Sequence, residues 1–486
     1  MATLRYIDDD IVRVYKLGES RTKENLLATL FWGDNVRVVG KVGDQWKLDF
    51  TKRRWNPDKR KYEWLKYDGA VPEKARFRDD PILKVRFVDV GQGDAAIIES
   101  PQGKLVLLDG GEGDHLRHYI SAAWAHILRS GPLHCEAVVV THGDADHFAG
   151  LTKLLKATRG RGRPMVDVDR IYHSGLVKAP TSVGDANIFG RSKKKNGQRY
   201  VVDLEDDPRS VPDSRLNRPF TAWKKGLNDL TARNPSLEVR RVAYGDHSTF
   251  DFLAEEGIAI QALGPIVAEV AGAPALPYLH AESGGYSASH TVNGHSIVLK
   301  LSYGNVRFLF GADLNAESEG GLLERVHADG LSLASEVLKV PHHGSHDFSP
   351  RMLEAVRPVV SVISSGDESE SKEYIHPRAG LVGALGKYSR PTVEKPLVYV
   401  TEMVAFFDRV GHAFIRESTP SGNESKKVTE TTNAYIKTIF GIVHVRTDGK
   451  RVLVASHSGK PGQKESYAFR VDGQGDIRFE EKTRVV

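Results

Sequence analysis

One cysteine, Cys135, occurs in 486 residues. A lone thiol excludes an internal disulfide framework and a Cys-rich zinc site. Its place beside an apolar strand gives it the part of a small core residue. Long hydrophobic runs are missing too, for no stretch approaches the ~18 apolar residues needed to span a bilayer. The opening MATLRYIDDDIVRVYK puts acids where a signal peptide needs an apolar core. These absences predict a cytosolic (cytoplasmic) protein without a membrane partner. Charge is not one-sided: 68 Lys and Arg against 63 Asp and Glu leave +5, too little at this length to imply nucleic acid by itself. No internal repeat stands out, and nothing points to a protein partner. With 40% hydrophobic and 27% charged residues the chain reads as soluble and globular, long enough for roughly two to four domains.

Residues 1–80 read as a small β domain. Asn25 to Phe50 is a series of short strands broken by Gly-Asp at 33–34 and 43–44, both hairpin signals. The segment resembles a bacterial SH3-type barrel. Lys52, Arg53, Arg54, Lys59, Arg60 and Lys61 alternate with Trp55, Tyr62 and Trp64. That mixture suits a nucleic-acid backbone and stacked bases, or equally a solvated loop. From Pro81 the pattern becomes α/β and holds to about residue 394. Strands are expected at Leu83–Val90, Ala95–Glu99 and Leu105–Leu108, with a tight turn at Gly91–Asp94. The third strand runs into Asp109-Gly110-Gly111, where a carboxylate closes an apolar run and glycines let backbone crowd close. Asp114 is expected to cap a helix through Trp124 and Leu128. Residues 176–240 mix Gly, Pro and charge and read as an insertion reaching over the site. Its Arg191, Lys193, Lys194, Lys195 and Arg199 either contact phosphates or stay solvated beside Asp203, Glu205, Asp206 and Asp207. After residue 395 helical signals fade, giving a β-rich C-terminal extension over 395–486.

The densest chemistry lies in Val138 to Leu151, VVVTHGDADHFAGL. An apolar strand ends in Thr141, and Leu151, Leu154 and Leu155 follow at helical spacing, so the polar cluster sits on a strand-to-helix turn. His142, Asp144, Asp146 and His147 bring imidazoles and carboxylates, the donors divalent metals accept. Two carboxylates packed this closely repel unless a cation neutralises them. Other apolar strands also end in Asp or His: Asp109, Asp313 and His343 follow the same rule. These ends look like one rim, where open α/β sheets collect their chemistry.

FVDVGQGDAAIIESPQGKLVLLDGG, VVTHGDADHFAGL, NGHSIVLKLSYGNVRFLFGADL and LKVPHHGSHDFSP, in this order, resemble the metallo-β-lactamase-fold domain of the ComEC competence DNA-uptake family. Ser364 to Gly366 and His376-Pro377 extend the likeness, which spans roughly residues 83–390. It implies an αββα sandwich carrying two divalent metal ions, Zn²⁺ or Mn²⁺, at one edge. His142 and Asp144 would hold the first ion and Asp146 and His147 the second. Asp313 would bridge them, and His343, or His342, would complete the second site. His295 stands where the wider fold has a further first-site histidine and nearer relatives carry Asn. Asp144 replaces a common histidine and makes the site harder, favouring Mn²⁺. Nothing resembles that family's membrane channel, so its uptake role does not carry over.

The chemistry so implied is metal-dependent hydrolysis by a hydroxide that the ion pair generates, most readily of DNA phosphodiesters. Asp109 would orient a ligand or water, Asp146 belongs to the catalytic set, and His376 or His346 would protonate the leaving group. A small-molecule hydrolase (lactone, thioester or cyclic nucleotide) and a non-catalytic metal-binding module are the alternatives, since fold does not fix substrate.

Overall fold

A computed structural model describes residues 2–56, 58–160, 162–184, 187–280, 284–366, 376–393, 396–402, 409–416, 429–435, 441–457 and 465–486, with backbone alone at 53–55, 61–62, 409–416, 429–435 and 457. Two sheets face each other. The first has ten strands, running in space Glu238–Arg241, Arg170–His173, Ala137–Val140, Leu105–Leu108, Ala96–Glu99, Leu83–Phe87, Ile442–Thr447, Arg451–His457, Ser466–Val471 and Ile477–Phe479. The first four are parallel and the rest antiparallel. The second has six: Ile258–Ala262, Leu299–Tyr303, Val306–Phe310, Val337–Lys339, Val360–Ile363 and Leu397–Val400, parallel over the last four.

The apolar runs have no polar alternation because both faces of each sheet are covered. Val106, Leu108 and Val139 point inward to a core shared with Phe308, Phe310 and Val362. Phe87 and Phe310 bring their ring centroids within 6.1 Å in that core. Leu105, Leu107, Val138 and Val140 point outward to helices His115–Ala123, Ala145–Lys156 and Arg218–Arg233. Helices Ala316–Ala328, Pro350–Val356 and Ala379–Tyr388 cover the second sheet through Leu322, Met352 and Leu385. The architecture is an αββα sandwich. Among the described residues, no helix is long and apolar enough to cross a membrane.

Several expectations need correction. The tail from 395 is β-rich, but it is woven into the sandwich. Leu397–Val400 closes the second sheet beside Val360–Ile363. Ile442–Thr447 pairs with Leu83–Phe87, placing Val443 opposite Phe87 and Val445 opposite Val85. Residues 403–408 and 417–428 of the tail lie outside the described residues. Asp114 makes no cap bond; its carboxylate accepts from Arg117 instead, and the helix stops at Ala123.

The N-terminal unit is a seven-stranded antiparallel sheet, in order Leu26–Phe31, Ile11–Lys16, Lys61–Pro72, Gln45–Asn56, Asn35–Val42, Thr3–Ile7 and Phe77–Arg78. Gly43-Asp44 is a two-residue hairpin turn, with Val42 paired to Gln45 and Gly43 at φ 58°. Gly33-Asp34 is not a hairpin, because the strands it joins are not neighbours. It is a corner, and Asp34 there pairs with Arg446 at 2.8 Å. Asp10 with Arg451 at 2.6 Å, and Trp32 among Ile82, Leu453 and Ala468, complete the junction with the tail.

The 176–240 insertion is largely regular. Ser192–Lys195 and Gln198–Val201 form a hairpin that joins Ala273–Pro277 and Ala268–Val270 in a four-stranded sheet. Helix Arg218–Arg233 is capped by Asn217, which accepts from Phe220 N. Its Phe220 and Trp223 stack around Phe148 on the helix that follows the metal-type turn.

Candidate metal centre

Each strand that ends at the rim delivers a polar side chain to one buried point. Leu105–Leu108 leads to Asp109, Ala137–Val140 to His142, Val306–Phe310 to Asp313, and Val337–Lys339 to His342 and His343. The backbone there is bent hard: Asp109, Ala312, His342 and His343 all have φ between 46° and 56°. Non-glycine residues held in this region cost on the order of 1–3 kcal/mol each and persist where surrounding structure dictates them.

Asp313 Oδ2 is the meeting point. It lies 3.1 Å from His343 Nε2, 3.4 Å from His147 Nε2 and 3.9 Å from His142 Nε2. His147 Nε2 and His343 Nε2 are 3.4 Å apart, and Asp146 Oδ2 is 3.6 Å from His343 Nε2. A tetrahedral ion with ligands at about 2.1 Å separates its donors by about 3.4 Å. His147, Asp313 and His343 match that spacing, and Asp146 approaches it from His343. His142 and Asp144 form a looser set with Asp313, at 3.9 Å from His142 Nε2 to each carboxylate. Among the described residues, Asp94 Oδ1, His142 Nε2 and Asp313 Oδ1 are buried without a hydrogen-bond partner. Such atoms are costly unless something binds them. The donor set therefore fits divalent cations.

Ligand atoms of Asp94, His147, Asp313 and His343 all lie within 4.8 Å of one another. Asp94 closes the tight turn Gly91–Asp94. Its Oδ1 approaches Nδ1 of His343 at 3.2 Å, the ring edge away from Asp313, and its other oxygen pairs with Lys339. We therefore read Asp94 as a buttress rather than a direct ligand. The equivalent for His147 is Asp109, 2.8 Å from its Nδ1 and fixed in turn by Thr141 N at 2.8 Å and Thr141 Oγ1 at 2.6 Å. Carboxylates on Nδ1 fix the tautomer that leaves Nε2 free for a metal. Ser364 O at 3.1 Å adds to the hold on His343, and Gln92 Nε2 steadies Asp146 at 3.2 Å.

The electrostatics ask for a cation. Burial disfavours charge on His147 and His343, yet Asp313 together with Asp109 or Asp94 holds both pKa values up, His343 at about 10. Burial works to raise Asp313, but His343 and His147 hold it well below the carboxylate range. Burial pushes the Asp109 carboxyl up, against the pull of His147. His142 is forced down to about 3 by burial and by His147. Two lysines also reach in: buried Lys339 on Asp94, and Lys178, from the insertion, on Asp144.

Other candidates fall elsewhere. His295 does not join the cluster; its Nε2 lies 2.7 Å from Pro277 O, and it lines a cavity of about 540 Å³ beside helix Ala316–Ala328. Burial lowers its pKa to about 4. Asn293, two residues earlier, is the residue that faces the rim, with Nδ2 3.3 Å from His342 Nε2. His342 therefore meets Asn293, not Asp313. His376 is half-buried with its ring 6.2 Å from that of His342 and 6.5 Å from that of His343. Burial, His343 and His342 lower it to about 4. His346 is exposed beyond the turn.

The basic patches are mostly committed to structure. Lys52 bonds Leu27 O, Lys59 pairs with Glu63 at 3.0 Å, and Arg129 stacks on Trp64. The side chains of Arg53, Arg54, Trp55, Lys61 and Tyr62 lie outside the described residues. In the insertion, Arg191 pairs with Asp203, Arg199 lies over Tyr278 and Lys195 bonds Glu269 O. Lys193 and Lys194 are exposed.

Comparison with known proteins agrees with this geometry at the level of fold family. Residues 88–207 match the model of the metallo-beta-lactamase superfamily, a stretch holding Asp94, Asp109 and the 142–147 turn and ending before Asp313 and His343. No curated protein matches the chain. A solved structure of a mutant CmlA beta-hydroxylase is similar at 14% identity and TM-score 0.25, covering 59% of this chain and 46% of that one. PhoD is similar at 10% identity and TM-score 0.19, covering 100% and 86%. Likenesses that shallow decide nothing about activity, and the present chain spans under half of the hydroxylase. The chain carries a metallo-beta-lactamase superfamily domain, with the metal-capable side chains Asp94, His147, Asp313 and His343 gathered at its rim.

Proposed function

We propose that this protein is a metal-dependent hydrolase that cleaves phosphodiesters, with DNA as its substrate and two divalent ions, Mn²⁺ or Zn²⁺, as its cofactors. The observation that carries the reading is the convergence of His142, His147 and His343 on one oxygen of Asp313. Asp146, His147, Asp313 and His343 would hold one ion, and His142, Asp144 and Asp313 the other. Ions bound there lower the pKa of a water and neutralise charge on the reacting group. The protein's own part is to hold the donors still: Asp109 fixes His147, Ser364 O fixes His343 with Asp94 close by, and Gln92 and Thr141 fix two of the carboxylates.

Charge supports a diester. Five carboxylates (Asp94, Asp109, Asp144, Asp146 and Asp313) meet two lysines, Lys178 and Lys339. Two divalent ions bring that set to one net positive charge, the complement of one phosphodiester anion. The ordered likeness of the motifs to the ComEC-type domain supports DNA as that diester, and Lys193 and Lys194 of the insertion are exposed and available to its backbone. His376 lies beside the imidazoles, but burial, His343 and His342 hold its pKa at about 4, so it is neutral near pH 7 and does not serve as the acid for the leaving oxygen.

The test is a panel. Protein loaded with Mn²⁺ or Zn²⁺ is assayed on single- and double-stranded DNA, a chromogenic phosphodiester, a thioester and a lactone, beside an Asp146→Ala, His147→Ala variant. Cleavage of DNA by wild type alone is expected. Turnover confined to thioester or lactone would move the assignment to a small-molecule hydrolase. Bound metal with no turnover anywhere would leave only a binding module.

A further inference from the structure

The two candidate ion positions are built differently, and the difference lies in the insertion. Around His147, Asp313 and His343 the donors sit 3.1 to 3.4 Å apart, Asp146 adds an oxygen 3.6 Å from His343, and each imidazole is gripped from behind. The other position lacks this preparation. Among the described residues, His142 Nδ1 has only the neighbouring Thr141 Oγ1 at 3.1 Å, its Nε2 stands 3.9 Å from both carboxylates, and Asp144 is already paired with Lys178.

Lys178 is held in place by the chain that carries it. Asn217 N donates to Lys178 O at 2.8 Å, tying the lysine to the N-cap of helix Arg218–Arg233. Phe220 of that helix packs against the turn itself, filling the space a Cβ at Gly143 would take at 3.0 Å. The lysine side chain is only 19% exposed, so its ammonium is not a freely solvated surface charge.

We propose that Lys178 is a positioning residue that grades the two ion sites: it occupies Asp144 until an ion or an anionic substrate draws it away. The site at Asp146, His147, Asp313 and His343 then fills first, and the site at His142 and Asp144 fills second and more weakly. A site whose competent form is only partly populated loses apparent affinity by that fraction. If Asp144 is free of Lys178 about a tenth of the time, the second ion binds about tenfold more weakly than its donors alone allow. A substrate phosphate drawing Lys178 off Asp144 would restore the site, coupling the second ion to substrate. This rests on the two-ion reading above but not on the identity of the substrate.

The experiment is a Mn²⁺ titration of the metal-stripped full-length protein by calorimetry, with bound metal counted by elemental analysis. Wild type is expected to bind one ion tightly and a second at least about tenfold more weakly. Lys178→Met should tighten the second step about tenfold and leave the first unchanged, while Lys178→Arg, which keeps the charge, should behave as wild type. A thermal melt on each variant guards against misfolding. Equal steps in wild type, or an unchanged second step in a folded Lys178→Met, would overturn the grading role while leaving the hydrolase reading intact. Absence of any bound metal would remove both.

Discussion

Asp109 Oδ2 lies 2.8 Å from Nδ1 of His147, and both side chains are fully enclosed. This contact sets the ring so that Nε2 faces Asp313. Asp109 is itself locked by Thr141 N and Thr141 Oγ1 and sits at φ 56°, a conformation only a dictated residue keeps. Asp109→Asn preserves the shape, removes the charge and swaps an acceptor for a donor. Loss of such a partner costs roughly 10–100-fold in metal affinity or activity. Metal affinity measured by chelator competition should fall by that factor with the circular dichroism spectrum unchanged. An affinity within twofold of wild type would mean that His147 needs no orienting partner.

The Gly91–Asp94 turn presses on the same site from the other side. Gly93 has φ +102°, and a Cβ there would come within 1.8 Å of Asp146 O. That neighbour is backbone of the helix that carries Asp146 and His147, and it cannot swing aside. Gly93→Ala should therefore destabilise the protein by more than ~2 kcal/mol and weaken ion binding together. Chemical denaturation and metal counting on the same sample check it. An unchanged midpoint would show that the turn can move.

The rim was legible because its ligands come in short local bursts after apolar strands: His142 to His147 in one turn, and His342-His343 after another. Asp94 was not, because its meaning comes from His343 and Lys339, far along the chain, and a Gly-Gln-Gly-Asp turn has no local mark of that contact. Lys178 was hidden in a stretch without periodicity. His295 was misplaced for a physical reason: helix Ala288–Gly294 turns Asn293 toward His342 and leaves His295 against Pro277. Two identical Gly-Asp signals gave one hairpin and one corner, since a turn motif cannot state which strands will pair. The tail reads correctly as β-rich, but Leu83–Phe87, which Ile442–Thr447 pairs with, lies at the opposite end of the domain.

That pairing makes a prediction of its own. Val443, Val445, Val452, Val454 and Phe469 are buried in the core between the sheets. Deleting residues 441–486 would bare that face and leave Leu83–Phe87 as an exposed apolar edge, which promotes aggregation. The truncated chain should be insoluble or melt without cooperativity, as read by sedimentation and calorimetry. A soluble truncated form that still bound metal would make the tail a separable appendage.

Glu319 predicts a pH effect far from the rim. It lies in helix Ala316–Ala328, is 1% exposed, and accepts from Ser349 N at 2.5 Å. Burial, reinforced by Asp347 and only partly opposed by the Ser349 N–H, pushes its pKa up to about 8 from 4.5. Between those values the folded protein keeps a proton that the unfolded chain has lost. Stability therefore falls as pH rises from about 4.5 and levels off above about 8. Glu319→Gln keeps an oxygen for Ser349 N and carries no charge, so it should remove that slope. The variant should match wild type near pH 4.5 and exceed it above pH 8 by ~1–3 kcal/mol, less than the full shift because a charged site relaxes and admits water. Urea unfolding of both proteins across this range decides it: parallel curves would mean that Glu319 is already ionised in the fold, and that the pocket around it is wetter than its burial implies.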